Sequence, residues 1–167
     1  THVVITTLSY DGINLPETIA ATGASLALSI SDIPFNGPVA GVIVGYVNGE
    51  YILNPSKEVL ENCDIFLSIA GTKDAITMVE AGAKEVSEEV MLGAIIFGHD
   101  RIKEICAFQE AFIELVGNKE KFAFEVKEPL AQVKEFVDAA EERIKEAVLT
   151  VGKQAREEAL ELIEEKL

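Results

Sequence analysis

The chain lacks tryptophan, has two methionines and two cysteines, and sets only 14 basic residues against 29 acidic ones, a net charge of −15 over 167 residues. Lys and Arg are absent from the first 56 positions altogether. Phosphate backbones are held by clustered Lys and Arg, so a nucleic acid gripped by this segment's own charge is excluded. Cys63 and Cys106 have no metal-ligand spacing and cannot build a disulfide framework, which points to a reduced, cytoplasmic setting. No stretch approaches the ~20 apolar residues of a membrane span, so no membrane partner is expected. No secretory leader pattern is present. The chain opens on Thr1 rather than Met, inside a strand-like pattern, and reads as a piece cut from a longer protein.

What is present is enough apolar residue, 49%, to bury a core; disorder is not expected at that content. The length suits one domain, or one domain with an appendage. Val3 to Leu8 is β-branched and apolar and reads as a strand ended by Asp11-Gly12. Asn14 suits a helix cap, Pro16 the first turn and Glu17 the positive helix end. That helix runs to about Ser31, with a side of small residues (Ala20, Ala21, Gly23, Ala24, Ala27) fit for close packing.

The centre of the chain runs from Asp32 to Thr72. Pro38 to Val47 reads as a strand whose Gly41 and Gly45 admit a close neighbour. Asn48-Gly49 marks a two-residue hairpin, because a type I′ turn needs positive φ at both positions. Glu50 to Leu53 returns, Asp64 to Gly71 is a buried strand, Thr72-Lys73-Asp74 is a turn, and Ala75 to Val79 is another strand. Ser87 caps a long helix with Glu88 and Glu89 in its first turn. Its apolar face ends near Gly117-Asn118, and Gly98-His99 is a candidate kink.

After residue 118 glycine nearly vanishes and 13 of the 29 acidic residues fall in the last 50 positions. Leu130, Val133, Val137, Ala140, Ile144, Ala147 and Val151 recur at three and four, the spacing of an amphipathic helix. Gly152 breaks it before a second helix carrying Ala159, Leu160, Ile163 and Leu167. The organisation is mixed α and β over 1–117, a linker over 118–128, and an all-helical segment over 129–167.

Candidate chemistry is sparse. Any site on the sheet is expected near Asn54 to Asp64, where Glu58, Glu61 and Asp64, with Lys57 nearby, share a loop that could hold Mg²⁺; a solvated acidic loop is the plainer reading. His99-Asp100 resembles a His–carboxylate pair, but no reacting partner is marked and a structural histidine is favoured. Thr22-Gly23-Ala24-Ser25 falls inside a helix rather than between a strand and a helix start, so it is packing rather than a phosphate cradle. Cys63 has no visible base and reads as a buried strand cysteine. No catalytic, cofactor-binding or metal residue is assigned.

One resemblance adds to this. Gly23-Ala24-Ser25-Leu26-Ala27-Leu28, Ile33-Pro34-Phe35-Asn36-Gly37-Pro38, Val44-Gly45-Tyr46-Val47, Tyr51-Ile52-Leu53-Asn54-Pro55, Ile69-Ala70-Gly71-Thr72, Met78-Val79-Glu80, Ser87-Glu88-Glu89, Met91-Leu92-Gly93-Ala94 and Phe97-Gly98-His99 occur in this order. The series resembles bacterial polynucleotide phosphorylase. The resemblance implies an incomplete RNase PH-like α+β fold followed by part of an all-helical domain, in the first of that family's two RNase PH-like halves. In the family, the second half carries a Mg²⁺-dependent, phosphate-driven 3′-to-5′ degradation of RNA to nucleoside diphosphates, and three chains form a ring around RNA.

The departures carry the functional expectation. Aligned back from Ala70-Gly71-Thr72, the active half's D-x-D-x-K strand becomes Asp64, Ile65, Phe66, Leu67, Ser68. Only the first Asp is kept; Phe66 replaces a metal ligand and Ser68 the Lys. An upstream acid aligns with Leu60, and a phosphate-binding serine cluster with Leu15, Pro16 and Glu17. The resemblance therefore implies an inactive, architectural segment that binds neither Mg²⁺ nor phosphate itself. Its expected partners are the second half, two further copies of the chain, and RNA through other parts of the protein. An acidic interaction or scaffold module using the C-terminal helices is the alternative.

Overall fold

The computed structural model describes residues 1–117 and 119–166. They fall into two compact units, Thr1–Ala123 and Phe124–Leu167. The first holds α1 (Glu17–Ile30), β1 (Ala40–Val47), β2 (Glu50–Leu53), α2 (Lys57–Glu61), β3 (Ile65–Gly71), β4 (Ile76–Ala83) and α3 (Glu88–Val116). The second holds α4 (Ala131–Val148) and α5 (Lys153–Glu164).

The four strands form one antiparallel sheet in the order β2-β1-β3-β4. Asn48 at φ 53° and Gly49 at φ 86° make the β1–β2 turn that the Asn-Gly pair predicts. Asn54 then closes the hairpin, its N–H donating to the Ile43 carbonyl at 2.7 Å and its Oδ1 accepting from the Ile43 N–H at 2.9 Å. Ala40, Val42 and Val44 of β1 join Ile65, Leu67 and Ile69 of β3 in a core sealed by Ala94, Ile102 and Cys106 of α3. Each large aliphatic buried there stabilises the fold by ~1.5–3 kcal/mol. The Ser87 hydroxyl caps α3 by accepting from the Val90 N–H.

Gly98 does not mark a break. It lies within the 29-residue α3, where a Cβ would sit 2.5 Å from Ile69 Cδ1 and 2.9 Å from Val44 Cγ2. The glycine is a point of close approach between helix and sheet.

Several boundaries differ from the sequence expectation. Val3 to Leu8 is not a strand: Val4 is 73% and Leu8 93% exposed, and neither pairs with the sheet. β-branched composition favours a pleated surface only where a neighbouring strand supplies the ladder. Asn14 does not cap α1. It is drawn into a turn around Asp11, whose carboxylate accepts from the Ile13 and Asn14 N–H groups at 2.8 and 2.9 Å, and Pro16 occupies the cap with no side-chain bond. β1 begins at Ala40 rather than Pro38, and the strand expected over Ala75 to Val79 runs instead from Ile76 to Ala83. α4 stops at Val148 rather than reaching Val151, and Gly152 at φ 95° opens α5. The expectations for Asn118 and Leu167 lie outside the described residues.

Candidate functional site

Strand alternation decides which side chains of β3 can meet α1. Ile65, Leu67 and Ile69 are buried on the α3 side, leaving Phe66, Ser68 and Ala70 on the other face. Across the ladder, Ile43 pairs with Ser68 and Gly41 with Ala70. α1 packs over Gly41 at ordinary van der Waals distance: a Cβ there would meet Ala70 Cβ at 3.7 Å and Ala21 Cβ at 3.8 Å.

Between α1 and this face lies a cleft of about 170 Å³ lined by Glu17, Thr18, Ala21, Gly41, Ser68 and Met78, among others. The structure therefore brings together Glu17 and Ser68, which are 51 positions apart in the chain. Glu17 is the one charged side chain among the lining residues. Its carboxylate sits in the first turn of α1, where the free N–H groups and the helix dipole favour negative charge. The cleft's electropositive feature thus already faces a carboxylate of the same chain.

Phe66 shares the face but does not line the cleft; it pairs with Gly45 and Gly82 and is 36% exposed. Leu60 is on α2, also outside the cleft. Asp64 is exposed at the mouth of β3, where its backbone, not its carboxylate, is engaged: its N–H donates to the Tyr46 carbonyl and its carbonyl accepts from the Lys84 N–H.

The loop expected over Asn54 to Asp64 contains a helix. Ser56 caps it through the Val59 N–H, and Glu58 and Glu61 ride exposed on that single turn. No three His, Cys, Asp or Glu side chains come together among the described residues. His99 and Asp100 do not act as a pair. The His99 Nε2 lies 3.1 Å from the Thr72 carbonyl. Asp100 is bonded to Lys103 at 2.9 Å, and that ammonium lowers its carboxyl pKa. Thr22 donates to the Thr18 carbonyl within α1. Cys63 is buried, though in the turn before β3 rather than in a strand, and its Sγ faces the Val59 carbonyl.

One device escapes the sequence reading. The Ser25 hydroxyl accepts from the Val39 N–H at 2.9 Å, and Gln109 Nε2 donates to the Val39 carbonyl at 2.9 Å. Both groups are buried, so α1 and α3 together fix the residue that leads into β1. The signal was a polar residue on an apolar stripe, because Ile102, Cys106 and Gln109 recur at four and three and all are buried on α3.

The sheet and its backing helix define a class. Residues 37–101 match the 3′ exoribonuclease family, domain 2. Across nearly its whole length, 99%, the chain is 51% identical to a polyribonucleotide nucleotidyltransferase of Streptococcus gordonii, of which it covers 23%. It is 54% identical over 151 residues to the protein of that name from Enterococcus faecalis, covering 90% of this chain and 21% of that one. For the Exiguobacterium sibiricum protein the identity is 59% over 125 residues, 75% of this chain and 17% of the relative. The chain belongs to this family, the polyribonucleotide nucleotidyltransferases, and spans about a quarter of the length of the curated relatives it matches.

Proposed function

We propose that this segment is the C-terminal part of the inactive, architectural first RNase PH-like half of a phosphorolytic 3′-to-5′ exoribonuclease, followed by part of a helical linker domain. The parent reaction would be attack by inorganic phosphate on the 3′-terminal linkage of RNA, releasing nucleoside diphosphates with Mg²⁺ bound in a second, active half. The setting would be cytoplasmic, with three chains closing a ring.

The observation that carries the reading is the cleft at Glu17 and Ser68. A phosphate there needs cationic or N–H donors, and a divalent ion needs several converging oxygen ligands. The cleft is lined by one carboxylate, Glu17, and two hydroxyl residues, Thr18 and Ser68, and no Lys, Arg or His lines it. These residues do not fit phosphate, and one carboxylate does not fit Mg²⁺. The neighbouring position on β3 is an aromatic ring, Phe66. No reaction step is assigned to these residues.

The test is phosphate-dependent release of nucleoside diphosphates from a single-stranded RNA. The expected outcome is no release by residues 1–167 alone, and release when the missing half is supplied. Release by the segment alone, lost on Glu17→Ala, would overturn the reading.

A further inference from the structure

The last turn of α1 contains no basic residue, yet its carbonyls are not left to water. Lys121, some 90 positions further along, places its Nζ 2.7 Å from the Ser29 carbonyl, 2.6 Å from that of Ser31 and 3.4 Å from that of Leu28. An ammonium has three donors, and the end of a helix gathers unpaired carbonyls and partial negative charge. Lysine therefore fits this place in both number and sign. The next residue reinforces it, the Phe122 N–H donating to the Asp32 carbonyl at 2.9 Å.

Apolar packing does not hold this stretch. From residue 119 to residue 139 every residue but Lys121 is exposed, and Phe122 is 51% exposed. We propose that residues 119–123 are a strap, fastened across the end of α1 by the charge of Lys121, and that it opens without unfolding the sheet. The strap sets where the chain leaves the first unit. Loss of that charge by substitution unfastens it.

Amide hydrogen exchange on the protein tests this. Lys121→Gln is expected to speed exchange of the Phe122 amide by about tenfold or more, while the amides of Val44 and Leu67 in the sheet keep their rates. Lys121→Arg, which retains a charged donor, is expected to hold Phe122 within about threefold of the parent rate. An unchanged Phe122 rate in Lys121→Gln would overturn the proposal. So would equal acceleration at Phe122, Val44 and Leu67, which would make Lys121 part of the global fold rather than a fastener.

Discussion

Two glycines in helices show how the same residue acts through opposite physics. Gly23 in α1 has open space where a Cβ would go, whereas a Cβ on Gly98 would press on Ile69 and Val44, which are 1% and 0% exposed. Alanine gains ~0.8–1 kcal/mol over glycine in a helix interior, and overpacking a closed core costs ~1–3 kcal/mol. Gly23→Ala should therefore raise the urea midpoint and Gly98→Ala should lower it; a raised midpoint for Gly98→Ala would refute the close-approach account. The sequence marked Gly98 as unusual but could not tell a kink from a contact, because the contact is made by residues 29 and 54 positions away. Cys106 gives a pH prediction. Burial raises its thiol pKa from an ordinary 9.0, so the native chain keeps a proton there that the unfolded chain loses. That contribution weakens as pH rises past 9.0. Native Cys106, fully buried, should resist iodoacetamide at pH 8 and react at the rate of a free thiol in urea. Equal rates in both conditions would contradict this.

Among elements, the β1–β2 hairpin was the most legible from sequence and the N-terminal strand the least. A tight turn is encoded in two adjacent residues, and here Asn48 and Gly49 take the positive φ values that the Asn-Gly pair allows. A strand is encoded partly by its neighbour, so apolar Val3 to Leu8 carried no information about whether one stands beside it. Cap placement failed at Asn14 for a related reason: its side-chain amide donates to the Asp11 carboxylate at 2.7 Å and is diverted from the helix end. Ser56 and Ser87 were free of such competition and cap α2 and α3. Gly49→Ala places a Cβ at φ 86° and should cost ~1 kcal/mol of stability, read as a lower urea midpoint with an unchanged slope. Since the surrounding space is open, strain alone is at stake, and a neutral effect would show that the turn relaxes to another type.

On the scale of the whole molecule, composition told the two units apart better than it told what each does. Glycine and β-branched residues belong to the sheet, and acidic, three-and-four-spaced sequence belongs to the helices. Periodicity names the apolar face of a helix but not what covers it. Within the second unit the buried side chains of α4 are Ala140 and Ala147, and α5 has none, while Phe136, Leu149 and Leu162 are 62%, 80% and 55% exposed. Two small buried side chains supply little of the ~25 cal/mol/Å² that apolar burial provides. α5, at 12 residues, is of a length that is marginal in isolation. The first unit has a closed core built from two strands, β1 and β3, and a 29-residue helix. Amides of α4 and α5 in residues 1–167 should therefore exchange at least ~100-fold faster than those of β1 and β3. The same argument fixes what happens when a partner covers the exposed faces of α4 and α5. Slowing of exchange there, with β1 and β3 unchanged, would locate the missing stability in that partner, whereas slow exchange in the lone segment would mean that its few buried contacts suffice.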